Sequence, residues 1–524
     1  MKLTRPWYWT LARVLDRGCE GTSHHEPGRN DRLPDFETLI QNVFVLDGSG
    51  TLPKKASVAI TAGSIARVGE TSGCAAESTL DGAERVLAPG FVDAHSHDDL
   101  YLIRSPQMLP KLSQGVTTVI VGNCGISGSP TEFEKDPPHP ANLLGQTDEF
   151  RYVHFAGYVK AVAAAEPAVN VAAFVGHTTL RSNHMDRLDR QATPREVAAM
   201  RAQLAEALAH GAIGLSTGLA YKSAHSASEE EVAALAEPLN AAGAIYATHM
   251  RSEGEHVLDA IHETLRLGDR CKMPIVVSHL KCAGIDNWHQ SGEMLRLLHA
   301  ATTTQAVGWD CYPYAASSTI LDPRQVDDRI QITVTWSDQF PALAGQPLSS
   351  IAKKWGVSQL EAAARLQPAG AIYHSMSEND VRAILANPFT MIGSDGLPND
   401  VFPHPRLWGT FPRVLGHYSR DEKLFSLPEA VRKMTSLPAQ RFGLHNRGWI
   451  REGYAADLVL FDPTTVRDEA TFSDPVRPAG GIEAVWVNGV LSYHKQTPTG
   501  RRAGRFLPRQ PRTNANSTTQ DQTK

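Results

Sequence analysis

Between Leu87 and Asp395 an apolar, β-branched run ending in a polar cluster recurs eight times, with helix-like stretches in between. The runs are Leu87–Asp98, Val116–Cys124, Val169–Thr178, Ala212–Thr217, Ala244–Arg251, Pro274–Lys281, Gln305–Tyr314 and Phe389–Asp395. Strands alternating with helices are the mark of βα units around a parallel sheet. Eight such units closed on themselves make an α/β fold of the (β/α)8, TIM-like barrel type, in which chemistry sits at the C-terminal ends of the strands. The intervening helices carry ordinary start signals. Thr193-Pro194-Arg195-Glu196 and Ser228-Glu229-Glu230-Glu231 both read as capping boxes with acidic first turns.

Both ends of the chain have a different rhythm. From Thr38 short apolar runs are broken by turn residues, and a matching set follows in Asp457–Asp462 and Ile482–Leu491, where Asn488-Gly489 signals a hairpin. These predict one small, discontinuous β-sandwich domain built from residues 38–88 and 443–505, flanking a barrel over 89–442. An insertion of about seventy residues, 317–388, separates the seventh and eighth strands, with helices expected at 348–366 and 378–386. Connections this long are usually functional, and this one is placed to cover the barrel mouth. Residues 1–37 form an N-terminal extension without a clear period, which fits an ordered flap, a disordered arm or an artefact of the start site equally. Residues 506–524 are expected to be a disordered tail, since no large apolar residue follows Pro508.

Composition narrows the partners. Lys+Arg 51 against Asp+Glu 56 leaves a formal charge of -5, small for 524 residues and without a basic stripe, which argues against nucleic acid. Six scattered cysteines with no CxxC favour a reducing compartment. No apolar run approaches the roughly 20 residues that span a bilayer, and no secretory signal is recognisable. The expectation is a cytoplasmic protein without membrane association. Oligomeric state leaves no trace in the sequence.

The polar residues at the strand ends carry the chemistry. The first run ends in FVDAHSHDD, where extended backbone turns His95 and His97 to the same side. Further on stand Cys124 in GNCG, His249 in THMRSEG, His279 in SHLKCAG and Asp395 in GSDG. Each alone reads more simply as a packed thiol, a core histidine or a turn residue. Together they form the imidazole, thiolate and carboxylate set that binds zinc, converging on one end of one barrel.

At this level of detail the chain resembles the amidohydrolase superfamily, specifically its D-aminoacylase (N-acyl-D-amino-acid deacylase) group, from about Leu39 to Arg505. FVDAHSHDD and GSDG are superfamily-wide signals; GVTTVIVGNCGIS, GAIGLSTGLAY, ATHMRSEG, SHLKCAG, DCYPY and HPRLWGTF are more specific. Many amidohydrolases bridge their metals with a carboxylated lysine, whereas this group uses a cysteine, and Cys124 stands where that cysteine is expected. The resemblance implies a tight Zn2+ held by Cys124, His249 and His279. A second, weaker site would use His95, His97 and Asp395, with the thiolate shared. It also implies that Asp395 relays the proton from water to the leaving amine, a role compatible with metal ligation. Lys281, Tyr312 and Arg406 would hold the α-carboxylate of a small N-acyl amino acid substrate; Tyr314 is the competing choice for the tyrosine.

The activity so implied is zinc-dependent hydrolysis of N-acyl-D-amino acids, a linear-amide hydrolase reaction, with the D stereochemistry supplied by the resemblance alone. A cyclic-amide hydrolase of the hydantoinase or dihydropyrimidinase type shares the barrel but normally carries the bridging lysine. A non-catalytic homologue would have lost a ligand or Asp395, and none is missing. His177 is expected to support the site from behind, and His404 to be solvated or structural.

Overall fold

A computed structural model describes residues 34–510, Glu132 and Glu134 excepted; the extension up to residue 33 and the tail from residue 511 lie outside the described residues. Strands β1 (Phe91–Asp93), β2 (Val116–Val121), β3 (Asn170–Gly176), β4 (Gly214–Gly218), β5 (Ile245–His249), β6 (Ile275–Val277), β7 (Val307–Cys311) and β8 (Thr390–Ile392) pair in parallel in chain order. The ring closes between β8 and β1, where Ala94 N donates to Ile392 O at 3.1 Å and Ser96 bridges Gly396 in parallel. Alternate residues divide between two cores, as the period of a strand requires. Val92, Ile120, Phe174, Ile245, Val276 and Met391 fill the interior, while Val119, Val171, Leu215, Tyr246 and Val277 join the larger core that includes the surrounding helices.

The helix Pro194–Ala209 begins with the expected capping box: Thr193 Oγ1 accepts from Glu196 N, and Glu196 Oε2 accepts from Thr193 N at 2.7 Å. At Ser228 only half of the box forms. Ser228 accepts from Glu231 N at 3.2 Å, but the Glu231 carboxylate turns inward to His177 at 3.0 Å and to the buried Arg181. A charged pair at this depth takes precedence over a cap, because an unpaired buried Arg181 would cost several kcal/mol, about 3–5.

The first expected strand proves to be two. Val86–Pro89 runs antiparallel to Leu458–Phe461 in a second sheet, and the barrel strand starts after Gly90, where a Cβ would lie 2.2 Å from Thr117 Cγ2. That second sheet has nine strands drawn from both ends of the described chain. It folds over itself as a sandwich: Ile40, Val58, Ile60 and Ile65 share a core with Leu458, Leu460 and Trp486. The Asn488-Gly489 hairpin has both residues at positive φ, +48° and +81°, as a type I′ turn demands.

Three further departures concern the long connection and the tail. The segment after β7 contains an unanticipated three-stranded antiparallel sheet, Ser317–Ile320, Ile332–Ser337 and Ala369–Tyr373. Its strands are short, and the pairing of Ser317 with Tyr373 joins residues more than fifty positions apart, which no local signal reveals. The helix expected over 348–366 is broken into Leu348–Trp355 and Gln359–Leu366: Gly356 ends the first at φ +69°, and the Ser358 side chain caps the second. Residues 506–510 are docked rather than free. Leu507 N donates to Val171 O at 2.7 Å, and the Arg509 guanidinium caps the carbonyls of Leu208 and Ala242 at two helix ends.

Behind the strand ends a buried Lys111 ties the ring together. Its ammonium lies 2.8 Å from Asp93, 3.2 Å from Asp98 and 2.7 Å from Ser394 Oγ. Lys111→Met keeps the volume but strands two buried carboxylates, so stability should fall by about 3–5 kcal/mol. Urea unfolding checks this, and an unchanged midpoint would remove the lysine from any role in holding β1 to β8.

Candidate metal and substrate site

All six expected donors emerge at the C-terminal mouth of the barrel. His95 and His97 flank the Ser96 bridge on the same side, with ring centroids 5.4 Å apart. Cys124 follows β2, His249 ends β5, His279 follows β6 and Asp395 follows β8. Cys124 Sγ is 3.3 Å from His95 Nε2 and 3.2 Å from His279 Nε2; Asp395 Oδ1 is 3.1 Å from His97 Nε2 and 3.5 Å from His95 Nε2. Two donor groups result, His95, His97, Cys124 and Asp395 in one, Cys124, His249 and His279 in the other, each with ligand atoms within 4.8 Å of one another and with Cys124 common to both.

These separations suit a metal. Donors around one tetrahedral zinc, at bond lengths of about 2.0–2.3 Å, stand roughly 3.3–3.8 Å apart. Burial lowers the pKa of both His95 and His249 to about 3, so each imidazole is neutral at physiological pH and keeps a lone pair. The Nδ1 of His249 is buried without a hydrogen-bond partner among the described residues. Burial alone would push the Asp395 carboxyl upward, but the Arg406 guanidinium at 2.9 Å, with His279 nearby, outweighs it and holds the group well below the usual carboxylate range.

Backbone geometry points the same way. Cys124, His279 and Asp395 have φ of +54°, +36° and +48°, a region that costs non-glycine residues about 1–3 kcal/mol each. Three such residues facing one another are held there by the closed ring, which aims their side chains across the mouth rather than along their strands.

Four of the donors, His97, His249, His279 and Asp395, line a cavity of about 910 Å³, which Lys281 also lines and which residues 317–330 of the long connection help to wall. Arg406, wholly buried at the start of the helix Arg406–Arg413, lies 4.5 Å from the Tyr312 ring centroid, and Lys281 Nζ lies 5.6 Å from it on the same residue. The Tyr312 hydroxyl has no hydrogen-bond partner among the described residues. The Tyr314 hydroxyl is likewise unpartnered among the described residues, but its ring packs with His404, Phe472 and Arg413, away from the donors. Arg406 reaches Asp395 and Ser318 O at 3.0 Å, so it stands at the donors and not in a solvated loop.

Three residues at the site were not singled out by sequence reasoning as part of it. Glu253 Oε1 is 2.9 Å from His279 Nδ1 and 2.6 Å from Lys281 Nζ. Asp310 Oδ1 accepts from His279 N at 2.9 Å and lies 3.5 Å from His95 Nδ1, with its pKa pushed up to about 7 by burial. His404, buried, accepts from Arg406 N at 2.9 Å and so fixes the start of that helix. Glu253 and Asp310 were visible as the acidic residues of THMRSEG and DCYPY, but only contact tells such carboxylates from surface ones. His177 does not reach the donors; its partner is Glu231.

Against known proteins, the profile of the Amidohydrolase family matches residues 78–322 and 341–493. D-aminoacylase from Alcaligenes xylosoxydans xylosoxydans is 49% identical over 481 residues, covering 92% of this chain and 99% of that protein. The chain belongs to the amidohydrolase family, in its D-aminoacylase group. N-acyl-D-aspartate deacylase of the same organism is 44% identical, over 91% of this chain and 96% of its own length. The crystal structure of N-acyl-D-glutamate deacylase from Bordetella bronchiseptica, complexed with zinc and a phosphonate inhibitor that mimics the tetrahedral intermediate, superposes with a TM-score of 0.88 at 40% identity, covering 90% of this chain and all of that one. Among the described residues no helix is long and apolar enough to cross a membrane.

Proposed function

We propose that this chain hydrolyses the amide bond of N-acyl-D-amino acids with zinc as cofactor, releasing a carboxylate and a free D-amino acid. The observation that carries the reading is the pair of donor groups sharing Cys124 at the floor of a cavity that Lys281 lines, with Arg406 buried against the donor Asp395. Cys124, His249 and His279 would hold the tight zinc; His95, His97 and Asp395, with the shared thiolate, would form a weaker second site. Zinc bound there supplies Lewis acidity to an amide carbonyl and acidifies a water molecule.

The remaining chemistry belongs to side chains. Asp395, kept ionised by Arg406, is positioned to take the proton of the attacking water on its carboxylate and to pass it to the departing nitrogen, since an amide nitrogen leaves poorly unless protonated. Lys281, Arg406 and the Tyr312 hydroxyl, unpartnered among the described residues, would offer three donors to the α-carboxylate of the substrate. Arg406→Lys should lower kcat/KM about 10–100-fold, mostly through KM, because a point charge replaces a planar fork worth about 1.5–3 kcal/mol per charged contact. Steady-state kinetics on an N-acetyl-D-amino acid reads this directly.

The cyclic-amide alternative, which normally carries a bridging lysine, loses support from Cys124, the donor common to both groups. We place the enzyme in the cytoplasm, where reducing conditions keep Cys124 available as a ligand. The deciding experiment is a panel of N-acetyl-D- and N-acetyl-L-amino acids assayed with bound zinc measured on the same sample. Turnover of D substrates is expected; turnover of L substrates alone, or none at full zinc loading, would overturn the reading.

A further inference from the structure

We infer that Glu253 is a positioning residue that sets the tautomer of His279 in the tight metal group and couples it to the substrate-carboxylate anchor Lys281. The inference rests on the ligand set proposed above. His279 turns Nε2 toward Cys124 Sγ at 3.2 Å, so for that nitrogen to act as a donor its proton must sit on Nδ1. Nδ1 faces Glu253 Oε1 at 2.9 Å. His249 has its Nδ1 buried and unpartnered among the described residues, while its Nε2 stands 3.6 Å from the other carboxylate oxygen, Oε2, beyond hydrogen-bonding distance. The carboxylate thus meets the outward nitrogen of His279 at hydrogen-bonding distance and stands beside His249, an arrangement that holds the His279 imidazole in its metal-binding form.

Lys281 makes this carboxylate necessary. Its ammonium lies 2.7 Å from His279 Nδ1 as well as 2.6 Å from Glu253 Oε1. Without Glu253 the ammonium would donate to Nδ1, driving the imidazole proton to Nε2 and removing that lone pair from the metal. With Glu253 in place, both groups donate to a shared oxygen, which a carboxylate's several lone-pair sites permit. The neutral amide of glutamine has the same shape but offers one acceptor oxygen and turns an N–H toward other donors.

The test uses the intact zinc enzyme and a chelator titration that reads metal without turnover. Glu253→Gln should lose zinc at about 10–100-fold lower chelator concentration than wild type, and its KM for an N-acetyl-D-amino acid should rise as well. Lys281→Met should raise KM while retaining zinc as wild type does. Glu253→Asp, which keeps the charge but withdraws it, should release zinc at intermediate chelator and covers the case in which the glutamine variant does not fold. Zinc retention equal to wild type in Glu253→Gln or, failing that, in Glu253→Asp overturns the inference. A wild-type enzyme that binds zinc yet leaves every N-acyl-D-amino acid intact would instead overturn the proposed reaction, leaving the chelator result to stand by itself.

Discussion

Cys124→Ala is expected to abolish tight zinc binding and to lower amide hydrolysis by at least about a thousandfold, the equivalent of the several kcal/mol that a Lewis acid contributes. The expectation follows from the place of this one sulfur in both donor groups, 3.3 Å from His95 Nε2 and 3.2 Å from His279 Nε2. Burial raises its pKa well above that of a free thiol, so without a cation the group is a neutral thiol, and ionisation must accompany metal uptake. Metal analysis after gel filtration, with thermal unfolding on the same variant, separates ligand loss from misfolding. A folded Cys124→Ala protein that keeps its full zinc would exclude Cys124 as a ligand.

Asp395→Asn is expected to reduce kcat by about 10²–10⁴ while the zinc at Cys124, His249 and His279 is retained. The amide fills the same space and still faces His97, but it cannot take a proton. Arg406 then loses a charged partner 2.9 Å away inside the barrel mouth and keeps the carbonyl of Ser318, so the melting temperature should fall too. Zinc content and kcat measured together distinguish the outcomes. If zinc and kcat were lost in proportion, Asp395 would act mainly as a ligand, and the proton relay would need another residue.

Much of this site was legible before any coordinates. His95, His97, Cys124, His249, His279 and Asp395 each follow an apolar run, and because the strands of a closed barrel are parallel, the ends of all such runs converge on one rim. That argument needs only local pattern and the count of units. It says nothing about residues that reach the rim from elsewhere. Glu253 comes from the turn after β5 and His404 from the loop before the helix at Arg406. Both lie within motifs already read, His404 two residues before Arg406 and Glu253 four after His249, but only the folded contacts show that their side chains turn toward the site.

The same division runs through the fold. The eight βα units, the Thr193 cap and the Asn488-Gly489 turn are set by interactions between residues near in sequence, so periodicity and turn chemistry reveal them. The split of the first strand at Gly90, the three-stranded sheet after β7 and the docking of residues 506–510 depend on partners far along the chain: Leu460 for Leu87, Tyr373 for Ser317, Val171 for Leu507. The electrostatics at the rim are of this second kind. The same Asp395 that a strand end announces is held ionised against the effect of burial chiefly because Arg406 folds back against it, and His279 and Lys281 are drawn together by a single oxygen of Glu253. A strand end specifies which atoms face the cavity; their protonation depends on charges that only chain closure brings within hydrogen-bonding distance.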